Sequence, residues 1–229
     1  MFIYNIYSLM FNKMKGTNTM NKVHISKMTG KLQGLQAIST NTTTNKFCNK
    51  MNKSNNIDVI CKHCYSHSML NTYRKNMQNA LQRNSDALSL EELQDNDIPI
   101  INQLYMRFNA HGELINEMHI KNLFKICFKN PRVNFALWTK RKDIVIQYIN
   151  KIGTKPSNLK LIFSNSIINT IVEPPAYFDS TFNNVDSDNM KNKQNCTGQK
   201  CINCLLCYTH NKTKHIVEAV KINGRAINR

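Results

Sequence analysis

The chain has 229 residues, 41% of them hydrophobic, with 31 Lys and Arg residues against 14 Asp and Glu residues. This length and apolar content are enough for a buried core and exclude a wholly disordered chain. No segment has the roughly 18 to 20 consecutive apolar residues of a membrane-spanning helix, and the first apolar stretch precedes Lys13 and Lys15 rather than following positive charges, as a signal peptide would. We expect a cytoplasmic protein without a membrane partner.

The net charge of +17 suggests nucleic acid as a partner, but the composition offers a simpler explanation. The chain has 34 asparagines, and lysine far outnumbers arginine, a bias that AT-rich codons impose on any protein. Arginine, the better phosphate reader, is scarce. We expect nucleic-acid binding to be weak.

The chain begins with a segment that has no periodic pattern. Residues 1–30 are predicted to form a loose extension. Lys31 to Ser39 is mildly apolar and predicts a strand edge, and a long polar loop carrying Cys48 is expected after it.

The middle of the chain alternates between helical and strand patterns. Apolar residues three and four apart from Met69 to Leu81 predict one amphipathic helix that begins near Ser66 and ends near Arg83. The elements predicted after it are, in order, a strand at Leu104 to Asn109, a helix with Ile120, Leu123, Phe124 and Cys127 on one face, a strand at Val133 to Thr139, a helix from Val145 to Ile152 that ends at Gly153, and a strand at Leu159 to Ser164.

This alternation is typical of βαβ units on a parallel sheet. We predict an α/β fold, either a partial (β/α) barrel or an open parallel sheet, with a core over residues 31–180. Residues 181–229 are predicted to form a C-terminal cysteine-rich metal-binding segment and tail.

Functional groups in such sheets gather in the loops that follow the carboxyl ends of the strands. Three such loops carry polar residues here. They contain Asn109, His111, Gly112 and Glu113 after the first predicted strand of the middle region, Trp138, Thr139, Lys140 and Arg141 after the second, and Ser164, Asn165 and Ser166 after the third.

Seven of the eight cysteines fall into two groups, and in a reducing compartment such groups indicate metal rather than disulfides. The C-terminal group, Cys196, Cys201, Cys204 and Cys207, places four thiols within twelve residues. Its CxxCxxC run is common for iron–sulfur clusters and cramped for tetrahedral zinc. The pattern favours a 4Fe–4S cluster, with zinc as the alternative.

The N-terminal group has only the three thiols of Cys48, Cys61 and Cys64. A cluster with three protein ligands keeps an open coordination position, as catalysis at a metal requires. His63 or His67 is the alternative fourth ligand of a closed zinc site, and the two groups could instead share one zinc site. Cys127 lies on a helical apolar face and is predicted to be a core residue.

The motifs together resemble the phage gene-product-88-like family. The resemblance covers about residues 30 to 215, and its motifs are Leu35 to Ser39, the Cys61 to Tyr65 loop, Arg83-Asn84, Met106-Arg107-Phe108 before Gly112-Glu113, Asn130-Pro131 before Phe135 to Lys140, and the cysteine cluster followed by Tyr208. It implies a phage or prophage protein in the bacterial cytoplasm, without implying an activity.

The chain is more distantly similar to the radical S-adenosylmethionine enzymes. In those enzymes a three-cysteine loop with an adjacent aromatic follows the first strand, and a Gly-Glu motif after the second strand meets the cofactor. The resemblance implies these roles for Cys48, Cys61 and Cys64, for Tyr65, and for Gly112 and Glu113. The twelve residues between Cys48 and Cys61 depart from the usual three-residue gap.

Two functions are therefore expected from the sequence. The first is an iron–sulfur protein with a radical-S-adenosylmethionine-like core that modifies an unknown substrate, with Arg107, Trp138 and Lys140 on the substrate side. The second is a zinc-stabilised nucleic-acid-binding phage protein without catalysis. Whether the protein is an enzyme is left open by the sequence.

Overall fold

A seven-stranded, mostly parallel sheet organises the protein. The computed structural model describes residues 22–186 and 192–220. The strands are β1 (Ser26–Lys27), β2 (Gln36–Ile38), β3 (Tyr105–Phe108), β4 (Asn134–Thr139), β5 (Leu159–Ser164), β6 (Ser180–Val185) and β7 (His215–Ala219). They lie side by side in chain order, with β1 antiparallel to β2 and every other pair parallel. The α/β prediction is confirmed as an open sheet edged by β1 and β7, and a barrel is not shown.

The helices lie in the connections between the strands. They are α1 (Lys46–Asn52), α2 (Tyr65–Asn71), α3 (Gln78–Ser89), α4 (Glu117–Lys129), α5 (Lys142–Ile152) and the short α6 (Cys201–Cys204). None of these helices, which cover the part of the chain that the structure describes, is long and apolar enough to cross a bilayer.

One face of the sheet is covered by α3, α4 and α5. Alternate strand residues such as Phe108, Phe135 and Leu161 point to this face and pack with Leu123 and Val145 in the main core. The stacked rings of Phe108 and Phe135 have centroids 4.9 Å apart. This pattern follows from the period of two along strands and the apolar stripes of the helices.

The other face is covered by the cysteine-containing segment between β6 and β7. Ala136, Trp138 and Ile162 of the sheet, with Leu35 just before β2, pack there against Tyr208 and its neighbours, which include three of the cysteines. This segment closes the face that the helices leave uncovered, as a parallel sheet requires.

A buried lysine fixes that segment to the sheet. Lys160 of β5 is 1% exposed, and its ammonium donates hydrogen bonds to the carbonyl oxygens of Leu206 at 2.8 Å and Thr209 at 3.0 Å. A buried charge is tolerated only when it is hydrogen-bonded. Lys160 therefore holds the chain just beyond Cys204 in place.

Several predicted elements differ from the structure. The single helix predicted from Ser66 to Arg83 is wrong, because Thr72 leaves the helical backbone at φ −119° and ψ −102° and separates α2 from α3. The loop expected around Cys48 contains α1, which is only seven residues long and has no buried residue.

The sheet also extends beyond the boundaries predicted for the core. β1 lies in the stretch predicted as an extension. At the other end, β6 begins at residue 180, the predicted end of the core, and β7 lies wholly beyond it. These strands are short or polar, with Asn183 and Asn184 buried in β6, so hydropathy did not reveal them. The rest of the predicted extension (1–21) and of the predicted tail (187–191 and 221–229) lies outside the described residues.

Replacing Lys160 should loosen the cysteine segment selectively. In Lys160→Met we expect faster amide hydrogen exchange across residues 201–209, because two hydrogen bonds that hold this segment are lost. Exchange in α4 and α5 should not change. Lys151→Met is the control, since Lys151 is exposed and makes only a surface ion pair with Glu117. Unchanged exchange in 201–209 would show that Lys160 does not hold the segment.

Candidate functional site

A cavity of about 420 Å³ lies at the carboxyl ends of the parallel strands. Its volume is within the range of small-molecule sites. Every parallel strand or the loop after it contributes to the lining: Thr42, Cys48, Cys61 and Cys64 after β2, Arg107, Asn109, His111, Gly112 and Glu113 in and after β3, Trp138 and Lys140 at the end of β4, Ser164 at the end of β5, Phe182 and Asn184 in β6, and Glu218 in β7. The loops predicted to gather functional groups thus meet at one place.

The N-terminal cysteine group lies on one side of this cavity. Asn45 caps α1 by accepting a hydrogen bond from the Cys48 backbone nitrogen at 3.1 Å, which fixes Cys48 in the first turn. Cys61 lies in a 3-10 turn, and Cys64 caps α2, its sulfur 3.5 Å from the His67 backbone nitrogen. All three of these cysteines line the cavity.

The C-terminal group lies on the other side of the cavity. The backbone of Cys196 forms an isolated parallel β-bridge with Glu218 of β7. Cys201 is the first residue of α6 and Cys204 is the last. Cys196, Cys201 and Cys207 line the main cavity, and all four thiols line a small adjoining cavity of about 20 Å³. The two groups are distant in sequence and share one chamber in the fold.

The thiols do not surround a single ion position. Among residues 22–186 and 192–220, no three His, Cys, Asp or Glu side chains are close enough together to hold one metal ion. The predicted metal-binding segment is therefore not confirmed, and the metal roles of the seven cysteines remain predictions.

Burial keeps several of these thiols protonated. It raises the pKa of Cys48 and Cys61 above the usual range, and raises the pKa of Cys207 to about 12. A buried thiol with a raised pKa is a poor nucleophile, because the thiolate is the reactive form. A bound metal would replace the proton and overcome this cost. The environment therefore suits ligation better than attack by a thiol.

Gly112 occupies a position that only glycine fits. Its φ is +78°, and a Cβ would lie 2.2 Å from Thr40 Oγ1 and 2.5 Å from the Thr40 carbonyl oxygen. Its backbone nitrogen also donates to Thr42 Oγ1 at 2.9 Å. The loops after β2 and β3 can approach this closely only because residue 112 has no side chain.

Glu113 is buried beside Gly112, and its carboxylate ties β3 to β4. It accepts hydrogen bonds from the backbone nitrogens of Leu114 and Lys140, each at 2.8 Å, and from the Thr139 hydroxyl. Burial raises the pKa of this carboxyl, while Lys140 and the three donors favour its ionised form. An ionised carboxylate accepts about four hydrogen bonds, which leaves room for one more donor.

The predicted substrate-side residues also meet in the cavity. The guanidinium carbon of Arg107 lies 4.0 Å from the centroid of the Trp138 ring. Lys140 donates to Ser164 Oγ at 2.9 Å, and although burial lowers its pKa, Cys61 and Glu113 together with the other nearby thiols raise it overall. His111 stays neutral, because burial and then Arg107 and Arg74 lower its pKa to about 4.

Tyr65 lies outside the main cavity, in contrast to its predicted cofactor-binding role. Its side chain is exposed, and its hydroxyl is hydrogen-bonded to that of Tyr73 at 2.5 Å. Tyr65 instead lines a second cavity of about 450 Å³ on the far side of Cys64, together with His63 and His67.

Sequence reasoning missed two charged residues of the site. Lys31 donates a hydrogen bond to Cys196 Sγ at 2.8 Å and pairs with Glu218. A lone Lys near the start of the chain and a lone Glu near its end carry no motif, so only the pairing of β7 with the sheet could reveal them.

Comparisons with known protein families give one match. The Gene product 88 family matches residues 9–210, most of the chain. The chain belongs to the Gene product 88 family. No curated protein and no solved structure matches this chain. The phage-family resemblance is thereby confirmed, whereas the similarity to radical S-adenosylmethionine enzymes receives no support and remains a hypothesis.

Gly112→Ala should destabilise this family member strongly. The left-handed backbone costs an alanine about 1–2 kcal/mol, and the overlap with Thr40 adds about 1–3 kcal/mol. The measurement is the free energy of unfolding in denaturant, which should fall by the sum of these two costs. Gly153→Ala is the matched control, because Gly153 has φ +77° with open space around its Cβ. Equal losses in the two variants would show that the contact with Thr40 does not matter.

Proposed function

We propose that this Gene product 88 protein is an iron–sulfur protein in which both cysteine groups face one reaction cavity. The observation that carries the proposal is that six of the seven grouped cysteines, from segments far apart in sequence, line the same cavity at the carboxyl ends of the strands. Structural metal sites need no such convergence on an open cavity, whereas a catalytic site does.

The donor set favours a cluster over a single zinc ion. The CxxCxxC run of Cys201, Cys204 and Cys207 is common for iron–sulfur clusters, whereas four-cysteine zinc sites usually separate two CxxC pairs by a dozen or more residues. A cluster binds each thiolate through a different iron, so its ligands are spread over a wider space. Cys196, Cys201, Cys204 and Cys207 would hold one cluster, and Cys48, Cys61 and Cys64 would hold a second with an open position.

The proposed reaction is of the radical S-adenosylmethionine type. Reductive cleavage of S-adenosylmethionine is the chemistry that an open cluster supplies when bound. The chain's own residues would position the reactants. Gly112 lets the loops after β2 and β3 meet in the cavity wall, and Glu113 has capacity for one more donor, such as the amino group of the cofactor. Lys140 and Lys31 place positive charge beside the two thiol groups.

Metal analysis of protein purified without oxygen tests the identity of the site. We expect a brown protein that absorbs broadly near roughly 400 nm and contains iron and acid-labile sulfide. A colourless protein with stoichiometric zinc would refute the proposal and favour the zinc-stabilised nucleic-acid-binding alternative.

Single cysteine variants test whether the two groups act separately. Cys64→Ala should abolish cleavage of S-adenosylmethionine and lower the iron content, while the C-terminal group stays loaded. Cys127→Ala is the control, because Cys127 is fully buried in the helix-side core; it should keep all its iron. Loss of all metal in Cys64→Ala would indicate one shared site and contradict the proposal.

A further inference from the structure

The cavity contains one cationic side chain without an internal partner. No hydrogen bond or ion pair within the described residues involves the guanidinium of Arg107, and its Nε is buried without a partner. Arg107 itself is half-buried. Buried polar atoms are normally hydrogen-bonded because desolvation is costly, so the unpartnered Nε calls for an explanation.

Neither acidic residue that lines the cavity is paired with Arg107 in the structure. Two carboxylates line it, Glu113 and Glu218. Glu113 already accepts three hydrogen bonds from β4 and its own loop, and Glu218 is paired with Lys31. The structure therefore leaves Arg107 free for an anion from outside the chain.

The guanidinium is also held in a fixed orientation. It lies over the ring of Trp138. The ring of Tyr208 packs edge-on against that of Trp138, with 5.7 Å between the ring centroids. A stacked, planar guanidinium presents its donors as a rigid fork, which matches a carboxylate or phosphate better than a monatomic anion. Asn109, 6% exposed at the end of the same strand, adds a buried side-chain nitrogen without a partner to the lining of the same cavity.

We propose that Arg107, with Asn109 beside it, binds an oxyanion of the substrate, a carboxylate or a phosphate group. The inference rests on the proposed function in that it takes this cavity as the reaction chamber, and it adds the chemical class of the substrate. Arg107 also lowers the pKa of Cys201 and Cys207, against the larger effect of burial, and a role as counter-charge alone is one outcome of the test.

Titration with simple anions tests the inference directly. Trp138 is the only tryptophan of the chain, so its fluorescence reports on the guanidinium that covers it. Inorganic phosphate and acetate are titrated separately into the purified full chain, with chloride at equal ionic strength as the blank and calorimetry as a second readout. We expect saturable binding of phosphate, acetate or both, and the stronger of the two identifies the substrate group.

Three variants locate the binding. Arg107→Met should weaken binding at least tenfold, and Arg107→Lys should weaken it less, because lysine keeps the charge and loses the fork. Arg132→Met, at an exposed position before β4, should bind as the original protein does. Circular dichroism checks folding, and Arg107→Lys carries the test if Arg107→Met does not fold.

The results separate this inference from the proposed function. The inference would be overturned if the original protein showed no saturable anion binding, or if all variants bound equally. It would also be overturned if the protein bound neither anion and Arg107→Met lost iron, because Arg107 would then serve the thiols alone. Iron and sulfide are measured in the same samples. Binding that depends on Arg107 in a protein without iron would leave the oxyanion site standing and refute the cluster.

Discussion

A parallel sheet must have both faces covered, and this constraint determines where the cysteines lie. The helices α3, α4 and α5 cover one face only. The segment between β6 and β7 covers the other, packed around Tyr208 and fixed by the buried ammonium of Lys160. Because that segment carries the C-terminal cysteines, covering the sheet also delivers them to the cavity that the N-terminal cysteines line.

Charge in the cavity is arranged in three places. Lys31 lies beside the C-terminal thiols, Lys140 lies beside the N-terminal thiols, and Arg107 lies between β2 and β4 with no carboxylate of its own. Positive charge close to buried thiols lowers the cost of their ionisation, which metal binding requires. Each of the two proposed cluster sites and the proposed oxyanion site thus has a cation of its own in the cavity.

The sequence predicted the parts of the fold that have a strong apolar pattern. β4 and β5 were recognisable as short runs rich in apolar, β-branched and aromatic residues. The helices α4 and α5 were recognisable because their apolar residues recur three and four positions apart. β6 was missed because its buried side chains include Asn183 and Asn184, which hydrogen bonds rather than hydropathy stabilise there. α1 was missed because its cap, Asn45, sits in an otherwise featureless polar run.

The site was predictable to the extent that it follows strand ends and cysteine spacing. Gly112, Glu113, Trp138 and Lys140 follow strands whose carboxyl ends meet at one edge of the sheet, so their convergence follows from topology. Contacts that depend on long-range pairing, such as Lys31 with Cys196 and Lys160 with Leu206, leave no local pattern. The position of Tyr65 outside the main cavity could not be predicted, because adjacency to Cys64 does not fix the direction of a side chain on α2.

Electron paramagnetic resonance of the reduced protein tests most directly the claim that two clusters share one cavity. Two paramagnetic clusters, if held by cysteines that line one cavity of about 420 Å³ as proposed, would be close enough for their spins to interact. We expect a broadened or split spectrum in the original protein and a simple spectrum when either cysteine group is replaced by alanine. A spectrum equal to the sum of those two simple spectra, or one that contains no cluster signal, would contradict the account.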